Sequence, residues 1–136
     1  MQSTNPRLDA AATVAAGRQL EELVGANPQI SLAVLTTGDG FEVAAHGREA
    51  SQTQRVAAMS SSLQALSEAI VREAGLSDSR NLIIESTTGV IVVMGIANVE
   101  PRLSLAVVAS GENILGHLLW TARNCCMTLA RELKQA

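Results

Sequence analysis

Residues 35–45, LTTGDGFEVAA, hold two glycines on either side of an aspartate, between one apolar stretch and another. Apolar side chains recur at every second position in both stretches, as they do in strands with one buried face. These positions are Ile30, Leu32 and Val34 before the glycines and Phe41, Val43 and Ala45 after them. Glycine and aspartate readily adopt the positive φ that tight hairpins require. The sequence therefore predicts two strands joined by a turn at residues 37–40.

The same glycines raise the alternative of a phosphate-binding loop. Such a loop needs a helix straight after its glycines and a Lys-Ser or Lys-Thr pair to hold phosphate and metal. Here the strand-like FEVAAH, residues 41–46, follows instead. The hairpin is therefore the preferred interpretation, and nucleotide binding is the weaker alternative.

The rest of the chain predicts three helices and three more strands. The first helix is predicted from Asn5-Pro6 to about Pro28, the second over residues 51–75, and the third from Ser110-Gly111-Glu112-Asn113 onward. The three further strands are predicted at residues 80–86, 90–97 and 103–108. The order α-β-β-α-β-β-β-α indicates an α+β fold in which a five-stranded antiparallel sheet carries helices on both faces. The length fits a single domain over residues 1–136, with residues 1–7 as a candidate for disorder.

The long central helix carries two different stripes. It opens with a capping box, Ser51-Gln52-Thr53-Gln54, and Gly75 is placed to stop it. An apolar seam of Val56, Met59, Leu63, Leu66 and Ile70 repeats at steps of three and four, which predicts packing against the sheet or another helix. A second stripe is made of small residues: Ala57, Ala58, Ser60, Ser61, Ser62, Ala65, Ser67 and Ala69. Small side chains let two helices approach closely, so the simplest partner is the same helix of a second copy. Alternatively, these residues supply only helix propensity and solubility.

Composition excludes several classes of function. The chain is 47% hydrophobic and 17% charged, which favours a surface hidden in a partner or a second copy. A net charge of −3 and almost no aromatic residues argue against nucleic-acid binding. No segment resembles a signal peptide or a membrane span, so we expect a cytoplasmic protein without membrane insertion.

The polar residues predict neither an enzyme nor a cofactor. Cys125 and Cys126 are neighbours in a predicted helix and cannot readily pair, which fits buried thiols in a reducing compartment. His46 and His117 have no motif around them, and a thiol metal site would need both. No nucleophile with a base and no pair of carboxylates is recognisable. We therefore expect no catalytic site, no metal and no cofactor.

The order of elements resembles the Roadblock/dynein light-chain family, particularly its bacterial members. Three segments share in this resemblance: the hairpin TTGDGFEVAA, the helix QRVAAMSSSLQALSEAIVREAG and the strand pair SRNLIIESTTGVIVVMGIA. The resemblance covers about residues 8–134. It implies a homodimer in which the central helices pack antiparallel and the third strands join edge to edge. The interface would then add Leu82, Ile83 and Ile84 to the small-residue stripe. Family members bind Ras-like small GTPases as regulators, or serve as light chains and scaffolds, so the resemblance implies a small Ras-like GTPase as partner.

Several side chains are candidates for contact with that partner. An arginine could enter the GTPase active site to stabilise transition-state charge, and Arg48, Arg55 and Arg102 are loop or helix-edge candidates, although a solvated surface charge is the preferred interpretation of each. In the resembled motility regulators, activation is attributed to reshaping of the GTPase instead. Trp120 and Met127 border the polar face of the last helix, where they either pack on the first helix or anchor a partner. A ligand-sensing module and a purely structural scaffold remain the alternatives to a GTPase regulator.

Overall fold

A computed structural model of the chain describes residues 10–47, 50–79, 81–97, 99, 102–111 and 115–135. Its elements are α1 (Ala10–Ala26), β1 (Ile30–Thr37), β2 (Glu42–His46), α2 (Ala50–Glu73), β3 (Asn81–Ser86), β4 (Gly89–Ile96), β5 (Leu103–Ser110) and α3 (Leu115–Gln135). The predicted α+β class and element order are confirmed. Residues 1–7 and the predicted start of the first helix at Asn5-Pro6 lie outside the described residues.

The five strands form one antiparallel sheet in the order β2-β1-β5-β4-β3. The middle of the sheet is β5, which pairs with β1 on one side and with β4 on the other. Strands β2 and β3 are the two edges, since each has a single neighbour. Strand β3 therefore pairs with β4 along one side, and its other side is a free edge of the sheet.

The hairpin between β1 and β2 confirms the turn predicted at residues 37–40. The Thr37 amide donates to the Phe41 carbonyl at 2.9 Å, and the Gly40 amide donates to the Thr37 carbonyl at 3.0 Å. Gly40 has a φ of 93°, a region that glycine adopts without steric cost. Because β2 begins at Glu42, Phe41 belongs to the turn, whereas its place in the alternating pattern had predicted a strand residue.

Two helix starts differ from the prediction. Helix α2 begins at Ala50, so Ser51 lies inside the first turn and is not the predicted N-cap. The first turn is instead tied to β2, because the Thr53 hydroxyl donates to Glu42 Oε1 at 2.8 Å. Strand β5 continues through Ser110, so this residue does not begin the last helix; α3 is described from Leu115, and Glu112 and Asn113 of the predicted start lie outside the described residues. Pairing of Ser110 with Gly89 extends the strand beyond its alternating segment.

The end of α2 follows the prediction. The Leu76 amide donates to the Val71 carbonyl at 2.9 Å and the Gly75 amide donates to the Arg72 carbonyl at 3.0 Å. Gly75 has a φ of 80°, so these two bonds close the helix with a left-handed glycine.

The helices divide unequally between the two faces of the sheet. Helices α1 and α3 pack together on one face of the sheet, and Gln19 Nε2 of α1 donates a hydrogen bond to Glu132 Oε2 of α3 at 3.0 Å. Helix α2 packs on the other face, over β1, β2 and β5. The main core lies on the α1/α3 face and includes Leu20, Leu35, Val92, Leu105, Leu118 and Leu129. The cluster on the α2 face is small and consists of Leu32, Val34 and Ala57. Within the described residues, none of the helices combines the length and apolar character needed to cross a membrane.

Candidate protein-interaction surface

Helix α2 meets the sheet through small and polar side chains. Thr53, Ala57 and Ser60 are buried, and the Ser104 hydroxyl of β5 donates to Gln64 Oε1. The apolar seam of α2 therefore turns mostly away from the sheet of its own subunit, and only its first residue, Val56, packs against the cluster on this face. Ala57 and Ser60 belong to the small-residue stripe predicted to meet a second copy, but they are buried within the subunit. A small side chain every three or four residues lets the helix sit close to the strands, and this turns the larger seam residues outward.

The seam residues of α2 form an exposed apolar surface. Met59 is 58% exposed, Ile70 is 59% exposed, and Leu63 and Leu66 are also exposed. These four residues recur at steps of four, three and four, so they line one side of the helix. Four exposed apolar side chains on one helix make a continuous patch, which is the usual mark of a protein contact.

The predicted small-residue stripe lies beside this seam. Ala58, Ser62 and Ala65 are exposed, whereas Ser61 and Ala69 are half-buried. The Ser61 hydroxyl is already engaged, because it donates to the Gly38 carbonyl of the hairpin at 2.7 Å. The stripe and the seam together make up the outward surface of α2, and Ser61 forms its border with the hairpin.

Strand β3 presents apolar side chains at the free edge of the sheet. Ile83 and Ile84 are exposed and Leu82 is half-buried. Ile83 pairs with Val92, a member of the main core, so Ile83 points to the α1/α3 face and its neighbours Leu82 and Ile84 point to the α2 face. An apolar strand edge without a partner is an established site for strand pairing with another chain.

A second exposed patch lies on α3. Trp120 is 61% exposed and Met127 is 53% exposed, which favours the alternative in which they anchor a partner over packing on α1. Contact with α1 passes instead through positions such as Glu132. The Trp120 ring stacks on the His117 ring, with centroids 6.1 Å apart and planes inclined by 24°. This stacking holds the indole against its own helix while leaving most of it accessible.

The arginine candidates occupy different settings. Arg102 pairs with Glu68 of α2, so its guanidinium is already engaged. Arg55 is exposed on α2, and Arg48 lies outside the described residues. Sequence patterns missed Phe41, which is 67% exposed at the hairpin turn, because it continued the alternation of β2. Its position directly after GDG was the available signal, since a turn residue is seldom buried.

Two buried thiols are the described titratable groups whose pKa values shift most clearly. Burial raises the pKa of Cys125 to about 11, with the Glu132 carboxylate adding to the shift, and burial raises the pKa of Cys126 to about 12. Thiols with such pKa values stay protonated at neutral pH and are poor nucleophiles. His46 and His117 are exposed. No cluster of three His, Cys, Asp or Glu residues suited to a metal occurs in the part of the chain that the structure describes.

These features define an α+β module that offers apolar contact surfaces on α2, β3 and α3. A family model for the Roadblock/LC7 domain matches residues 4–109, and the chain belongs to this family. The chain has no significant match among curated proteins.

Solved structures share the fold at low sequence identity. A Roadblock/LC7 domain from Streptomyces avermitilis is 24% identical, with a TM-score of 0.77 over 87% of this chain and 97% of that one. The gliding protein MglB from Thermus thermophilus is 18% identical, with a TM-score of 0.82 over 98% of this chain and 100% of that one. An MglB structure with a tetrameric arrangement is 18% identical, with a TM-score of 0.82 over 97% of this chain and 98% of that one.

Proposed function

We propose that this chain is a non-catalytic, cytoplasmic homodimer that binds and regulates a small Ras-like GTPase. The observation that carries the proposal is the exposed apolar seam of α2, which nothing in its own subunit covers among the described residues. Membership of the Roadblock/LC7 family supports a regulatory role. The similarity to MglB, including a form with a tetrameric arrangement, supports self-association.

The dimer uses two surfaces that lie on the same side of the subunit. Helix α2 packs antiparallel on its counterpart through the seam, with Ala58, Ser62, Ala65 and Ala69 allowing close approach at its flank. Strand β3 pairs with β3 of the second copy, which satisfies its free backbone groups and covers Ile84. Both contacts remove apolar surface from water, which is the main driving force of stable association.

The GTPase binds to surfaces that the dimer leaves free. Trp120 and Met127 on α3 provide an exposed anchor, since tryptophan often dominates the energy of a protein interface. Arg55 and Arg48 are candidates for charged contacts with the same partner. Regulation then results from stabilising one conformation of the GTPase, and it requires neither a cofactor nor nucleic acid.

The dimer is tested with two substitutions on neighbouring stripes and a control on α1. Leu66→Glu places a charge in the seam, and Ala65→Arg places one in the small-residue stripe. Val14→Glu introduces the same charge at an exposed apolar position away from both. By sedimentation equilibrium we expect wild type and Val14→Glu to be dimers and Leu66→Glu to be monomeric. A Leu66→Glu dimer of unchanged affinity would remove the seam from the interface, and an unchanged Ala65→Arg dimer would remove the stripe.

Partner binding is tested by capture from the native cytoplasm. Purified dimer is immobilised and exposed to cell extract with either a GTP analogue or GDP, and bound proteins are identified by mass spectrometry. We expect one small GTPase to be retained preferentially in one nucleotide state, and Trp120→Ala to weaken its retention while leaving the dimer intact. Retention of a different protein equally in both states would support the structural scaffold in place of the regulator.

A further inference from the structure

A cavity of about 620 Å³ opens at one end of the sheet, where β4 ends and β5 begins. Its walls come from both helix layers, because residues of α2 and α3 line it together with the strand ends. This volume falls within the range of about 300–1,000 Å³ typical of small-molecule sites. The cavity is separate from the apolar seam of α2 and from the exposed Trp120.

The floor of the cavity is apolar. Met94, Ile96 and Leu103 contribute from the strands, and Met127 and Ala130 contribute from α3. Gly95 lies between two of these residues, and a Cβ added there would approach Gln64 Nε2 to 3.3 Å, so the backbone of β4 runs close beneath the α2 wall. An apolar floor of this kind holds a hydrocarbon chain or ring in preference to water.

Counted over the described residues, the rim of the cavity is cationic on balance. Three guanidinium groups line it, from Arg72, Arg102 and Arg123, against the carboxylates of Glu68 and Asp78. Glu68 and Arg102 pair with each other, which leaves two arginines against Asp78. Arg72 belongs to α2 and Arg123 to α3, and neither has an ion-pair partner among the described residues. Their charges are therefore available to a ligand, and guanidinium groups bind carboxylates with strong charge-assisted hydrogen bonds.

The α2 wall is held in place by bonds that do not depend on a ligand. Gln64 accepts the Ser104 hydroxyl, and Ser67 shares a hydrogen bond of 2.9 Å with Ser79 in the segment that leads to β3. Fixed walls reduce the entropy that a ligand would lose by ordering the site.

We propose that this cavity binds a small amphipathic organic anion, with its apolar part against the accessible lining residues Ala97, Met127 and Ala130 and its carboxylate between Arg72 and Arg123. The chemistry follows from the combination of an apolar floor with two arginines that have no ion-pair partner in the part of the chain that the structure describes. The proposal is independent of the dimer, because it uses no residue of the α2 seam, and it shares only Met127 with the proposed GTPase anchor.

The probe is octanoate, and 1-octanol is the matched ligand that lacks the charge. Binding to the full chain is followed by two-dimensional amide NMR, in which Gly95 and Ala97 report from the cavity wall. We expect octanoate to shift these two amides at saturable concentrations and octanol to bind at least about 10-fold more weakly, since charged hydrogen bonds are lost.

Variants locate the charge that the ligand needs. The double variant Arg72→Gln and Arg123→Gln should bind octanoate at least about 10-fold more weakly than wild type. Arg131→Gln, at an exposed α3 position outside the cavity, should leave the affinity for octanoate unchanged. The spectra of the free variants show whether each retains the fold. Absence of shifts at Gly95 and Ala97, equal binding of octanoate and octanol, or equal binding by wild type and the double variant would each overturn the proposal. None of these results would alter the sedimentation test of the dimer.

Discussion

The two faces of the sheet are built on different principles. On the α1/α3 face, large side chains such as Leu20, Leu105 and Leu129 are completely buried in one continuous core. On the α2 face, the buried helix residues are the small Thr53, Ala57 and Ser60, and the large apolar side chains from Met59 to Ile70 point outward. One face is thus completed within the chain, and the helix on the other face keeps large apolar side chains exposed.

This difference separates the source of stability from the source of binding. Full burial of one leucine contributes about 1.5–3 kcal/mol, whereas a buried alanine contributes much less. Helix α2 is positioned instead by polar contacts, among them Thr53 with Glu42 and Ser61 with Gly38. Such contacts fix orientation, and each adds only about 0.5–1.5 kcal/mol. The outward seam therefore stays available without weakening the core.

The largest expected effect tests this separation with a leucine from each side. Leu129→Ala should lower the free energy of unfolding by about 2–5 kcal/mol, because it leaves a cavity in the main core. Leu66→Ala, at an exposed seam position, should change it by less than about 0.5 kcal/mol in dilute, monomeric protein. Urea unfolding at several protein concentrations measures both. A concentration-independent loss for Leu66→Ala as large as that for Leu129→Ala would contradict the comparison.

An intermediate effect is expected where α2 approaches the sheet. Ala57 is completely buried beside Leu32 and Val34, so Ala57→Leu should overpack the contact and destabilise the fold by about 1–3 kcal/mol. Ala58 is the adjacent exposed position, and Ala58→Leu serves as the matched control with a change within about 0.5 kcal/mol. Thermal unfolding of both variants in dilute protein provides the test, and equal melting temperatures would show that α2 is not held closely to the sheet.

The sequence predicted the fold more completely than the surfaces. Alternation at period two and the helical stripes were enough to predict all eight elements in order, since these patterns are local. They could not decide which stripe of α2 meets the sheet, because Ala57 and Met59 both recur at helical spacing and small residues can pack against strands or helices. The cavity was also beyond local patterns, since Arg72, Met94 and Arg123 belong to three elements that only the tertiary fold brings together.

A smaller effect concerns the buried thiols of the α1/α3 face. Their pKa values, about 11 for Cys125 and about 12 for Cys126, lie above the ordinary value of 9.0 that applies after unfolding. The unfolded chain therefore loses its thiol protons first, and the thiols' contribution to stability is complete below pH 9.0 and disappears as the pH rises toward 11–12. Replacing both cysteines with alanine should flatten this part of the stability curve, measured by urea unfolding between about pH 8 and pH 11.

Thiol reactivity provides the control for that experiment. At about pH 8 both cysteines should react with a disulfide reagent far more slowly in the folded protein than in urea, since they are buried and protonated. Fast reaction of the folded protein would mean that the α1/α3 face opens readily, and the two faces would then differ less than their packing indicates.

The smallest effect is expected at the ion pair between Arg102 and Glu68, which connects the start of β5 to α2. Most of the Arg102 side chain is exposed to solvent, so water and salt screen the pair. Arg102→Gln should lower the free energy of unfolding by less than about 1 kcal/mol at low salt, and by nothing measurable in about 1 M NaCl. Arg55→Gln is the control variant, because it removes the same charge from an exposed position on α2. A large, salt-independent loss with Arg102→Gln alone would mean that α2 relies on this pair for its position, and polar contacts would then stabilise the open face as strongly as leucine packing stabilises the closed one.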